Sequence, residues 1–132
     1  MPTDRVLAVL DASALLAFLF DEPGADPTAA VLSRAAISTV NWAEVVQHVI
    51  RLGARDPHHA RDDLIDAGLE IVPFSVADAE LTAAWREPTR ALCLSLADRA
   101  CLALAHRAGR PALTADRSWS DVDLGVDVTL IR

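Results

Sequence analysis

Five consecutive apolar residues, Val6-Leu-Ala-Val-Leu10, run without alternation and stop at a carboxylate, Asp11. A strand with that pattern has to be buried on both faces. Within one chain, that cover comes from helices lying on either side of a mostly parallel sheet. The remaining sequence supplies them in alternation. Asp11 or Ser13 can cap a helix through Ala14–Phe20, and Asp21-Glu-Pro-Gly24 reads as a turn. Thr28–Arg34 reads as a second helix and Ala36–Val40 as a strand. Asn41 is then the expected N-cap of a helix over Trp42–Leu52, closed by Gly53. A helix over Asp56–Ala67, a strand over Glu70–Pro73 and a helix over Val76–Trp85 capped by Ser75 follow. After a break at Arg86–Arg90 around Pro88, Ser95–Ala108 is expected to be the longest helix, ended by Gly109. Pro111–Thr114 and Val126–Ile131 read as strands, with a loop over Ala115–Asp121 between them. The expected class is an α/β sandwich of one domain spanning residues 1–132.

Composition removes several kinds of function. A chain of 132 residues with 52% hydrophobic and 23% charged residues folds as a single globular unit without needing disulfides or a structural metal. All twelve basic residues are Arg, so Schiff-base chemistry, the P-loop and phosphoaspartate schemes that use a Lys are excluded. A net charge of −7 disfavours a protein that coats nucleic acid by bulk charge. The two cysteines, Cys93 and Cys101, lack zinc spacing and lie in apolar sequence, where they read as small hydrophobes in a reduced, cytoplasmic setting. The apolar runs Val6–Leu10 and Ala12–Phe20 are too short to span a bilayer, and no basic segment ahead of them marks a signal peptide.

The candidate chemistry lies in four carboxylates. Asp11 follows one strand directly, and Asp116 comes two residues after another ends at Thr114. Ligand sites of open parallel sheets gather at these carboxyl ends. Asp98 sits near the start of an otherwise apolar helix, where an unpaired charge is costly. Arg99, its neighbour in sequence, points elsewhere on a helix and cannot be its partner. Glu44 is expected in the first turn of the Trp42–Leu52 helix. Each acid also has an ordinary role open to it: Asp11 as a helix cap, Asp98 as the third residue of a capping box with Ser95, Asp116 as a turn residue, and Glu44 as a partner of the helix dipole. Taken together, four acids in a chain without Lys would repel one another, and a divalent cation is the natural compensation. Oxygen ligands favour Mg²⁺ or Mn²⁺ over zinc.

The segments Val9-Leu-Asp11-Ala-Ser13-Ala-Leu-Leu-Ala17, Ser38-Thr-Val-Asn41-Trp-Ala-Glu44-Val-Val46, Leu94-Ser-Leu-Ala-Asp98-Arg-Ala-Cys101-Leu-Ala-Leu-Ala105 and Leu113-Thr-Ala-Asp116-Arg, in this order, resemble the four signature blocks of a PIN domain. The chain is most similar to the VapC toxins of toxin–antitoxin pairs, through to its closing Leu124-Gly-Val-Asp-Val-Thr-Leu-Ile-Arg132. The resemblance implies a PIN-like α/β/α sandwich and makes Asp11, Glu44, Asp98 and Asp116 the catalytic, metal-holding acids. It places Ser13, Asn41, Ser95 and Thr114 at polar positions that support them. It also implies a Mg²⁺-dependent ribonuclease, with Mn²⁺ able to substitute, that forms a homodimer and is silenced by a VapB-like antitoxin.

Other residues carry weaker signals. Without the four acids the net charge would fall from −7 to −3, and Arg86, Arg90 and Arg117 are candidates to hold RNA phosphates. Arg107 and Arg110 read as surface cations near a helix end. Trp119 is more simply a packing residue than a base-stacking one, Trp42 and Trp85 read as core or interface, and His58-His59 as a solvated helix face. Ala12–Phe20, with Phe18 and Phe20, is a candidate dimer or antitoxin surface. Two alternatives stand beside the nuclease: a non-catalytic PIN-like module that binds RNA or a partner, and another acidic-site phosphohydrolase. A phosphoaspartate enzyme would have Asp-x-Asp where this chain has Asp11-Ala-Ser13.

Overall fold

The computed structural model describes residues 5–53 and 55–132. Its centre is the strand anticipated at the N-terminus. β1 (Ala8–Leu10) lies between β2 (Ala35–Ser38) and β4 (Ala112–Thr114), and β3 (Glu70–Val72) and β5 (Val128–Leu130) form the edges. The order is β3-β2-β1-β4-β5 and every pairing is parallel, with Ala8 opposite Ala35, Leu10 opposite Leu113, Ile37 opposite Ile71 and Leu113 opposite Thr129. The expected mostly parallel sheet is therefore wholly parallel among the described residues.

All of β1 and β2 is buried, and the two-residue period divides their side chains between two cores. Ala8, Leu10, Ala35 and Ile37 face one core with Leu15, Val45, Val49 and Leu64. These come from α1 (Ala12–Leu19), α3 (Thr39–Leu52) and α4 (Pro57–Asp66). Val9 and Ala36 face the other core with Cys101, Leu102, Leu104 and Trp119. That side is covered by α6 (Leu96–Ala108), on which α5 (Val76–Ala84) packs. α2 (Ala25–Val31) packs on α1 and continues as a short 3-10 turn to Arg34. Trp119 is wholly buried, as its packing role requires.

The sequence misplaces two helix starts. Ser38, not Asn41, caps α3, because its hydroxyl accepts from Val40 N at 3.2 Å. The helix thus begins three residues earlier than expected and, at fourteen residues, exceeds the thirteen of α6. Asn41 becomes an interior helix residue, and Glu44 moves out of the first turn into the second. α2 likewise begins at Ala25 behind Gly24 rather than at Thr28. Cys101 is buried as expected, whereas Cys93 is exposed and sits at positive φ after a 3-10 turn. Arg107 is not a free surface cation: its guanidinium donates to both carboxylate oxygens of the buried Asp78, at 3.1 and 2.9 Å, and joins α6 to α5.

Two glycines that end helices of the first layer differ in what surrounds them. At Gly68, φ is +111° and an added Cβ would lie 2.4 Å from the backbone oxygen of Ser33. At Gly53, φ is +63° and the space is open. Gly68→Ala is expected to cost about 3 kcal/mol, combining strain with a backbone clash, against about 1 kcal/mol for Gly53→Ala. Chemical denaturation of the two variants checks this, and equal losses would contradict it.

Candidate functional site: an acidic crevice at the sheet's carboxyl edge

The chain leaves β1 toward β2 on one side, whereas β4 arrives on the other, so the strand order reverses between β1 and β4. Crevices in open parallel sheets form at such a point. Asp11 stands there. Its backbone N–H extends the ladder to Leu113 O at 3.1 Å, and its side chain caps α1 by accepting from Ala14 N at 2.9 Å. The same Oδ1 accepts from Ser13 Oγ at 2.7 Å, while Oδ2 accepts from the Thr114 hydroxyl across the crevice. The two hydroxyls are themselves fixed by the segment that follows β4: Ser13 Oγ accepts from Ala115 N at 2.9 Å and Thr114 Oγ1 from Asp116 N at 3.0 Å. Ser13 and Thr114, two of the four polar residues singled out in the sequence, thus both donate to one carboxylate.

Asp11 is only 6% exposed, and burial raises its pKa above the ordinary 3.8 despite the hydrogen bonds from Thr114, Ser13 and Ala14, which lower it. The charge of Asp98 raises it further. Glu44 is also raised above its ordinary value, first by partial desolvation, against the Asn41 amide that lowers it, and then by the charges of Asp98 and Asp11. Three of the four acids therefore share one field. That field reaches into the core beneath them. The Cys101 thiol, one helical turn beyond Asp98, is pushed well above its ordinary value by burial and then by Asp11, Asp98 and Glu44.

Asp98 holds the capping-box position: its Oδ2 accepts from Ser95 N at 2.9 Å and its own N–H donates to Ser95 Oγ at 3.0 Å. This ordinary role does not use up the carboxylate, because Oδ1 has no hydrogen-bond partner among the described residues. Arg99 turns away, as expected, and donates to Thr82 O at 2.6 Å on α5. Asn41, 1% exposed, donates to Ala97 O at 3.0 Å and to Glu44 Oε1 at 3.4 Å. It ties α3 to the first turn of α6, beside Asp98, and leaves its buried Oδ1 unpartnered. A correct reading of Ser38 as the cap would have revealed this role, since it turns Asn41 inward.

Asp116 differs from the other three. It is exposed, caps the 3-10 turn Arg117–Asp121 by accepting from Ser118 N at 3.0 Å and Ser118 Oγ at 2.7 Å, and adds nothing to the field at Asp11 or Glu44. Only its backbone N–H joins the network, through Thr114. Arg86, Arg90 and Arg117 are all exposed, and none joins the acids' hydrogen-bond network. Arg90 pairs with Glu87 at 3.2 Å, and the side chains of Arg86 and Arg117 make no ion pair among the described residues.

Oxygen donors of this kind suit a hard divalent cation, and one oxygen each on Glu44, Asp98 and Asp116 is unpartnered among the described residues. Among those residues no three His, Cys, Asp or Glu groups converge closely enough to enclose an ion by themselves. That spacing fits Mg²⁺, which keeps several waters and takes one or two carboxylates together with substrate phosphates.

A PIN domain family model matches residues 8–124, from the first residue of β1 to beyond the last acid. The chain belongs to the PIN domain family. The fold of this PIN domain is also that of solved toxin–antitoxin assemblies. A toxin–antitoxin complex from Klebsiella pneumoniae shares 22% identity over 95% of this chain and 98% of its own, with a TM-score of 0.74. A DNA-bound VapBC from Salmonella typhimurium shares 15% identity over 96% and 99%, with a TM-score of 0.76. VapBC from Rickettsia felis, bound to a promoter DNA fragment, shares 15% over 95% and 98%, with a TM-score of 0.73. No curated protein matches the chain. Among the described residues no helix is long and apolar enough to cross a membrane.

The raised pKa of Asp11 carries a stability consequence. A carboxylate whose folded pKa lies above its unfolded one makes the native state bind more protons, so stability is lost as pH rises from 3.8 through the folded value. Asp11→Asn removes that loss. In EDTA, its stability relative to wild type is expected to improve as pH rises through this window and to level off above it. Urea denaturation at pH 3 to 8 checks the trend, and a constant or declining difference would contradict it.

Proposed function

We propose that this PIN domain is a metal-dependent endoribonuclease that acts as the toxin of a toxin–antitoxin pair. The observation that carries the reading is the shared field of Asp11, Glu44 and Asp98 at the sheet's switch point, which leaves negative charge concentrated and uncompensated. Membership of a family whose members are generally nucleases supports the reaction class. The toxin role and a VapB-like antitoxin partner are supported by the fold shared with toxin–antitoxin complexes. Homodimer formation and a cytoplasmic setting belong to the same reading.

The cation would sit in the crevice of Asp11, Glu44 and Asp98, bound by one or two of these carboxylates and held to the others, and to Asp116 at the rim, through its waters. Mg²⁺ is the expected ion and Mn²⁺ its substitute. When bound, the cation supplies charge that acidifies a water and offsets the charge developing on the scissile phosphate. The protein's own contribution is positional. Ser13 and Thr114 fix the plane of the Asp11 carboxylate from both strand ends. Ser95 holds one oxygen of Asp98 and leaves the other without a partner among the described residues. Asn41 keeps Glu44 and the first turn of α6 in register. Glu44, whose second carboxylate oxygen has no hydrogen-bond partner among the described residues, is the acid assigned to accept a proton from the attacking water. Hydrolysis then joins the water oxygen to phosphorus, breaks the bond to the 3′-oxygen and returns a proton to that leaving group.

Two Ser-aliphatic-Ala-Asp helix starts, Ser75–Asp78 and Ser95–Asp98, provide an internal control, because both form a capping box. Asp78 is consumed by Arg107, whereas Asp98 faces the crevice acids. Asp98→Asn is expected to lower cleavage of total cellular RNA by at least about 100-fold. Asp78→Asn should cost stability and retain cleavage in the protein that remains folded. EDTA should abolish wild-type cutting, and Mg²⁺ or Mn²⁺ should restore it. Cleavage that persists in EDTA would overturn the metal-dependent reading. Folded, antitoxin-free protein that binds RNA and never cuts would favour the non-catalytic module.

A further inference from the structure

A groove of about 400 Å³ opens beside the acids between α1 and α3, lined by Ala12, Leu16, Glu44, Gln47, His48 and Arg51. Its four polar residues lie at helical spacing on one stripe of α3, so the groove starts at a site acid and ends at a cation. Arg51 lies seven positions after Glu44, about 10 Å along a helix. That distance corresponds to two or three nucleotides at stacked spacing. Arg51 has no carboxylate partner among the described residues. Its guanidinium instead donates to His48 Nδ1 at 2.9 Å. Because an arginine can only donate, the imidazole accepts at Nδ1 and carries its proton on Nε2. The His48 ring is braced edge-on against Phe20, with centroids 5.8 Å apart. In a chain of net charge −7, a cation with no carboxylate partner, oriented by a braced histidine at the end of a groove, keeps donors free for an anion.

We infer that this groove is a substrate subsite in which Arg51 and the Nε2–H of His48 hold an RNA backbone phosphate two or three nucleotides from the scissile one. The inference rests on the reading that the strand crosses the acids. Arg–phosphate contacts are charge-assisted and carry no base information, so the subsite sets the position of the strand and not its sequence. It also answers how an acidic protein holds a polyanion: with cations placed locally, on the helix that supplies Glu44. Of the three arginines singled out from the sequence, none lines this groove.

The test measures binding of a fluorescein-labelled 12-mer oligouridylate in EDTA, where no cutting occurs, from 50 to 200 mM NaCl. Arg51→Ala is expected to weaken binding about 5- to 10-fold and to reduce the salt slope by about 1, while Arg61→Ala on α4 leaves both unchanged. Arg51→Lys should retain the slope. His48→Ala should weaken wild type but add little in the Arg51→Ala background, because the two act as one unit. Wild type and Arg51→Ala binding the RNA equally, with equal slopes, would overturn the subsite and leave the nuclease reading intact. Wild type failing to bind any RNA would overturn the substrate class itself. Arg51-dependent binding of an oligoglutamate peptide, with no Arg51 effect on RNA, would assign the groove to an acidic peptide and overturn the inference.

Discussion

The hydrogen bond from the Thr114 hydroxyl to the Asp11 carboxylate is the contact on which the site depends. It joins the end of β4 to the end of β1 at the point where the sheet's strand order reverses. A buried carboxylate at that position would be costly if left unpaired. The bonds from Ser13, Ala14 and Thr114 offset that cost only in part, because the Asp11 pKa still lies above its ordinary value. What remains is a negative group held rigidly at the floor of a crevice, in a state that a cation would relieve.

The elements around it are arranged to maintain that condition. β1 and β2 are buried on both faces, so their ends cannot shift without disturbing two cores at once. α6 lies against the sheet and brings Asp98 to the same edge, and the Asn41 amide locks α3 to its first turn. The arrangement concentrates like charge at the carboxyl end of the sheet and lets it extend to Cys101 beneath. Such an arrangement favours ion binding over stability, a common balance at functional sites.

Much of this was legible in the chain. The unbroken apolar run ending at Asp11 foretold both the doubly covered strand and the acid at its tip, since burial and the strand end are local properties. The capping box at Asp98 was also legible, and the structure shows that capping and facing the site are compatible: the cap engages Oδ2 and leaves Oδ1. Asn41 was misread because Ser38 and Asn41 are both good caps by residue type. Tertiary packing, which seats α3 directly on the end of β2, decided for Ser38. Arg107 could not be assigned from sequence, as its partner Asp78 lies 29 positions away on another helix. The α1–α3 groove was illegible for the same reason, because its two walls meet only through packing.

The account stands or falls on whether the crevice of Asp11, Glu44 and Asp98 is where a divalent cation binds. An anomalous-difference map from crystals of the antitoxin-free protein soaked in Mn²⁺ would show this directly. The account predicts a peak in the crevice beside these carboxylates that disappears in Asp11→Asn. A fully occupied peak elsewhere, with none at the crevice, would contradict it.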